Sequence, residues 1–215
     1  MVSDKMYAVV TADVIGSRNI EAFRRRRDAK LHPLTRLHLR KKLILSDYAV
    51  TAWDEFQTVL QSPAAIPSVI LDLRRNFYPM QLWIAIGLGK VSEPRKKPVN
   101  QFAGGEAFER ARLAADLLKA DKSGKYGALT RFVSGSEVFD LIANTIYRLH
   151  DTLIQVVSAK QWETILAQVS TGNQELAAKK LGVNVSTVSR NLRRAHFWEM
   201  EETCKAMEGI IRSYF

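Results

Sequence analysis

The sequence predicts a mixed α/β N-terminal domain followed by an all-α C-terminal domain. Three observations carry this. Up to about residue 133, short apolar runs rich in Val, Ile and Tyr alternate with amphipathic segments. From Ser134 onward every segment has helical apolar spacing. Within that second part, residues 174–195, QELAAKKLGVNVSTVSRNLRRA, have the residue types of a helix-turn-helix. The domains are therefore expected at 1–133 and 134–215, with no long linker between them.

Composition bounds the partners. The chain has 215 residues, 47% of them hydrophobic and 25% charged, enough for a real core. A formal net charge of +10 favours polyanions: DNA, RNA, nucleotides or an anionic membrane surface. The single cysteine, Cys204, permits no internal disulfide and no CxxC metal knuckle, and the four histidines do not form HExxH. No apolar run approaches the ~18 residues that span a bilayer. The start, MVSDKMYAVV, lacks the features of a secretory signal. The expectation is a soluble cytoplasmic protein with no membrane partner.

The elements follow in order. Residues 7–12 read as a buried strand. Residues 19–42 read as a helix, bent or broken at Pro33. That stretch holds nine Lys and Arg, among them Arg24–Arg27, against Glu21 and Asp28. It is either a solvated face or a source of phosphate contacts. Residues 48–60 read as two short strands around Trp53 and Asp54, and Ile66–Phe77 as a helix with Pro67 in its first turn. Residues 82–91 form another buried strand. SEPRKKPVNQ (92–101) and DKSGK (121–125) are loops. Between them, residues 104–120 open with two glycines and run helical, burying Phe108, Ala111, Ala115 and Leu118. Residues 126–133 hold the last strand. A serine-capped helix then starts the helical part.

The helix-turn-helix has a small residue, Ala178, where two helices cross closely. Gly182 follows four residues later at the turn, and Val188 plugs the second helix into the core. Leu181, Val183 and Leu192 support it, with Trp162, Ile165 and Leu166 as a third wall. The outward residues of the second helix are Ser186, Thr187, Ser189, Arg190, Arg193 and Arg194. Hydroxyls and Arg190 suit base edges in the major groove of double-stranded DNA, and Arg193 and Arg194 suit phosphates. The alternative is a plain helical hairpin with a basic solvated face. After the motif, residues 197–215 space Phe197, Met200, Cys204, Met207, Ile211 and Tyr214 by 3, 4, 3, 4, 3. That is a coiled-coil seam, on which a homodimer is expected; the alternative is a helix packed onto its own domain.

In YAVVTADVIGSR (7–18), a carboxylate ends a buried strand. Strand, Asp13, glycine, helix, then a hairpin carrying Asp54, is the order of ferredoxin-like, palm-like nucleotide domains. Asp13 and Asp54, with Glu55 beside it, are candidate ligands for Mg or Mn carrying a nucleotide. Asp13 could equally cap the next helix through the amides near Gly16 and Ser17.

The order of residues 7–132 resembles the class III nucleotidyl cyclase core. Over nearly all of 7–211 the chain resembles the SatD family. The motifs carrying that resemblance are ADVIGSR (12–18), AWDEFQ (52–57), GGEAFERAR (104–112) and the helix-turn-helix ending LRRA at Ala195. The helix-turn-helix is also similar to that of sigma-factor region four. The family resemblance implies a cytoplasmic bacterial regulator with no known reaction. Two departures stand out: Trp53 replaces the glycine usual before DEFQ, and Phe108 stands where a cyclase has its asparagine, although Arg112 keeps the arginine. The function expected is a DNA-binding transcriptional regulator whose N-terminal domain senses a ligand or dimerises. The alternative is a metal-dependent nucleotide cyclase or phosphoryl-transfer enzyme.

Overall fold

A computed structural model describes residues 5–92, 104–121 and 127–215. The loops expected at 92–101 and 121–125 lie outside the described residues but for Ser92 and Asp121. The elements are β1 (Tyr7–Val14), α1 (Phe23–Arg40), β2 (Ala49–Val50), β3 (Glu55–Val59), α2 (Ile66–Phe77), β4 (Leu82–Gly89), α3 (Glu106–Ala120) and β5 (Thr130–Val133). Helices α4 (Glu137–Val156), α5 (Ala159–Thr171), α6 (Gln174–Leu181), α7 (Val185–Arg194) and α8 (Phe197–Tyr214) complete the chain. The fold is mixed α/β.

One sheet has the order β2-β3-β1-β4-β5. The pairs β2/β3, β3/β1 and β1/β4 are antiparallel, and β4/β5 is parallel. The sheet is covered on both faces, which explains why β1 and β4 read as continuous apolar runs rather than alternating ones. Ala8, Val10, Ala12 and Val14 of β1 and Ile84, Ile86 and Leu88 of β4 pack into one core with Leu34, Ile70, Leu73 and Phe77 of α1 and α2. The alternate residues face α3: Tyr7 and Val9 meet Ala107 and Ala111, and Ala85 meets Ala114, Ala115 and Leu118. Small residues on both sides let α3 lie close on the sheet. A Cβ added to Gly87 would fall 2.1 Å from the Ala107 carbonyl oxygen.

Two local expectations change. Helix α1 runs unbroken through Pro33, because Leu31, Leu34, Thr35 and His38 are all buried and hold both halves in one line. Its start moves to Phe23, after Ala22 in a left-handed conformation.

The core also ignores the expected boundary at 133/134. Phe139, Ala143 and Tyr147 of α4 and Met207 and Ile211 of α8 belong to the same cluster as the sheet. Helix α4 stands beside β5 in the role of a further strand. Asn144 accepts from the Phe132 amide at 2.8 Å and donates to its carbonyl at 3.0 Å. Asp140 accepts from the Ser134 amide and Asp151 from the Leu129 amide. A separate core is formed by Trp162, Ile165, Ala177, Ala178, Val188, Leu192, Phe197 and Met200 around α5–α7.

The seam on α8 is thereby consumed within the chain. Phe197, Met200, Met207 and Ile211 are at most 5% exposed, and Cys204 faces Ser68. The apolar spacing that suggested a dimerisation helix at 197–215 reflects packing onto the chain's own α2, α4 and α7. Among the described residues, no helix is long and apolar enough to cross a membrane.

Candidate nucleic-acid interface and the carboxylate cluster

Capping sets the three helices of the motif. Ser158 and Gln161 form a capping box at the start of α5, and Gly172 ends it with φ 68°. Asn173 Oδ1 then accepts from the amides of Glu175 and Leu176 at 2.7 and 3.1 Å. Gly182, φ 66°, ends α6, and α7 begins three residues later. Ala178, Val188 and Leu192 are buried as the motif requires, and Leu181 and Leu166 partly so. Val183 is not a support: it is 42% exposed, because the left-handed turn at Gly182 swings the next residue outward while its amide bonds to the Ala178 carbonyl. Asn191 donates to Thr164 at 3.1 Å and pins α7 to α5.

The outer face of α7 carries the residues singled out from sequence. Ser186, Arg190, Arg193 and Arg194 are exposed, and Thr187 and Ser189 are half-buried. Among the described residues none of the three arginines has an acidic partner within ion-pair distance. Residues 159–195 hold six Lys and Arg against two Glu. An unpaired guanidinium row on a protruding helix is able to meet phosphates and base edges without first breaking internal bonds.

The carboxylates lie at the other end of the molecule's logic, on the sheet. Asp13 is opposite Glu55 on β3 and Trp83 on β4. The Val14 amide donates to the Asp54 backbone carbonyl at 3.1 Å, so Asp54 is held beside the end of β1. Each carboxylate has a donor from the chain. Lys119 Nζ is 2.6 Å from Asp13 Oδ2. Ser17 Oγ donates to Asp54 at 2.6 Å, and Thr51 Oγ1 to Glu55 at 2.7 Å. Burial pushes the Asp13 carboxyl above its ordinary range; Lys119 pulls it down, and Asp54 and Glu55 push it up further. The hydrogen bond to Asp13 raises Lys119.

As arranged, these residues do not fit a divalent ion. An ammonium occupies the exposed side of Asp13, and among the described residues no three His, Cys, Asp or Glu side chains are grouped to hold a metal. Nor does Asp13 cap a helix: the turn that follows starts at Gly16 without a side-chain cap.

Trp53 is turned onto α1. It stacks on Phe23, with ring centroids 5.9 Å apart, and Arg24 lies over its ring at 4.3 Å. Arg27 donates to the Trp53 carbonyl at 2.6 Å. Two of the four consecutive arginines thus clamp the hairpin, leaving Arg25 and Arg26 exposed. Arg112 is exposed and pairs with Asp116 at 3.4 Å.

A model of the SatD family matches residues 7–196, a span that includes the sheet, the carboxylates and the whole helix-turn-helix. The chain belongs to the SatD family. No curated protein matches it. In this SatD-family chain the ADVIGSR and AWDEFQ motifs meet physically, through the Ser17–Asp54 bond and the β1/β3 pairing. The GGEAFERAR motif places α3 on the sheet: Arg110 donates to the Leu88 carbonyl at 2.7 Å. Sequence reasoning missed Lys119. Its position in the last turn of a basic-ended helix was visible, but not that this turn reaches the end of β1.

Proposed function

We propose that this SatD-family protein is a DNA-binding transcriptional regulator that inserts α7 into the major groove. The observation that carries this reading is the row Arg190, Arg193 and Arg194, exposed and unpaired on a helix whose other face is locked by Val188 and Leu192. The hydroxyls of Ser186 and Ser189 lie at the leading end and suit base edges. The positive charge of the whole chain supports approach to DNA.

The sheet order, with β1 antiparallel to both of its neighbours, β3 and β4, supports reading the N-terminal part as a palm-like, ferredoxin-like domain. Its role in this reading is regulatory or architectural. The rival reading, metal-dependent chemistry at Asp13 and Asp54, has the Lys119 ion pair against it. The deciding experiment is selection of bound fragments from random genomic DNA by the full chain. A recovered consensus whose binding is lost with Arg190→Ala supports the reading. Absence of any DNA retention at low salt, together with nucleotide turnover in Mg²⁺ or Mn²⁺, would replace it with the enzyme.

A further inference from the structure

Helix α4 has one employed face and one idle face. Inward, Phe139, Ala143 and Tyr147 fill the core, while Asp140, Asn144 and Asp151 bond the edge of β5. Outward, Val138, Leu141, Leu149 and Val156 are 60, 70, 66 and 54% exposed. Val138, Leu149 and Val156 belong to a longer pattern: Val138, Ile142, Thr145, Leu149, Thr152 and Val156 are spaced 4, 3, 4, 3, 4. At 100° per residue this places every member within a narrow stripe along the helix. It is a heptad seam, turned away from the fold.

We propose that this seam is a homodimer interface, on which a second copy of the chain seats its own α4 about a two-fold axis. Three features favour a second copy. The seam holds no charged residue, so it does not repel itself; Glu137 and Arg148 stand outside it. One set of its positions is Ile142, Leu149 and Val156, and the other contains Thr145 and Thr152. An apolar set repeating every seven residues, flanked by β-branched side chains, lets a second helix pack along the stripe. A groove of about 600 Å³ runs beside the stripe, where Leu141, Thr145, Leu149 and Thr152 meet Arg131, Glu137, Asp140, Asn144 and Arg148, with charges of both signs that a two-fold partner can pair with.

The size is also sufficient. The helix has 20 residues, so the seam is about 30 Å long. Two such helices in contact remove on the order of 1,000 Å² from water, the lower bound of a specific interface. Because α8 spends its own seam inside the chain, α4 offers the heptad pattern that remains open. This interface does not depend on DNA binding and is tested without DNA.

The test is sedimentation velocity of the full chain from low to high micromolar concentration. The wild type is expected to dimerise. Leu149→Glu should raise the dissociation constant at least about tenfold, while leaving the circular dichroism spectrum unchanged, since Leu149 is exposed. Leu176→Glu, at another exposed aliphatic on α6, should leave the dimer intact. A wild type that stays monomeric throughout overturns the proposal. So does a dimer that persists in both Leu149→Glu and Val138→Glu.

Discussion

Lys119 Nζ, from the last turn of α3, lies 2.6 Å from Asp13 Oδ2 at the end of β1. This pair ties a helix to the strand it crosses and sets a cation of the chain's own against a carboxylate crowded by Asp54 and Glu55. Lys119 is partly exposed, so solvent screens it and the pair is worth about 1 kcal/mol. Lys119→Ala should destabilise by about that amount, and Asp13→Asn in the same chain should recover part of it in a double-mutant cycle. Thermal melts with Mn²⁺ extend the test. The wild type should show no shift, whereas Lys119→Ala frees Asp13 and should gain one. A shift in the wild type would restore the metal reading.

Arg190→Ala should weaken binding to a selected DNA site by about 1–3 kcal/mol and relax sequence preference. Arg193→Ala should weaken all sequences alike and flatten the salt dependence by about one unit. Titrations of selected and random duplexes across a salt series separate the two. If neither substitution changes either affinity, α7 does not contact DNA.

Gly87→Ala should be severely destabilising. The added Cβ would meet the backbone of Ala107 and Ala111 at 2.1 and 2.2 Å, and backbone cannot swing aside. Overpacking of this kind costs about 3 kcal/mol. By contrast Gly182→Ala has open space around it and only its left-handed φ to strain, a cost of about 1 kcal/mol. Urea denaturation of both variants checks the order.

Asp151 and Arg74 join the helical half to the sheet. Asp151 is fully buried, 2.6 Å from Arg74 Nη2, and also accepts from the Leu129 amide and the Thr130 hydroxyl. Asp151→Ala leaves a buried guanidinium and an amide unpaired, and should cost about 3–5 kcal/mol. Adding Arg74→Met to that variant should recover a large part. A loss in the double variant equal to the sum of the two single losses would show that the pair is not coupled.

Asp72 provides the pH test. Burial raises its carboxyl, but the His38 hydrogen bond and the charges of Lys41, His38 and Arg75 outweigh this and hold it below the ordinary range. The stability it contributes is therefore present above the unfolded value of about 3.9 and is lost as pH falls through the folded one. Asp72→Asn should flatten the fall in stability below about pH 4. A parallel profile for wild type and variant would remove Asp72 from acid unfolding.

Several elements were legible because their signals are local. Strand β1, helix α2 and the helix-turn-helix caps follow from apolar runs, a proline in a first turn and glycines with positive φ, all within a few residues. The outward row on α7 followed from helix geometry once Val188 was placed inward. The role of Arg24 and Arg27 was not legible: their clamp on Trp53 depends on a hairpin about 26 residues away being folded beside them.

The sequence by itself determined a mixed α/β part, a helical part, a helix with a basic outer face and two carboxylates at strand ends. Periodicity reports only that a face is apolar, and so it could not say what covers that face. Tertiary structure decided that the seam on α8 packs inward while the one on α4 remains outside, since α4 meets the core with its opposite face, Phe139, Ala143 and Tyr147, and α8 with Met207 and Ile211. It also decided that Asp13 meets Lys119. Two groups 106 residues apart in the chain are brought to 2.6 Å only by the crossing of α3 over β1, a crossing that the small residues Gly87, Ala107 and Ala111 make close enough.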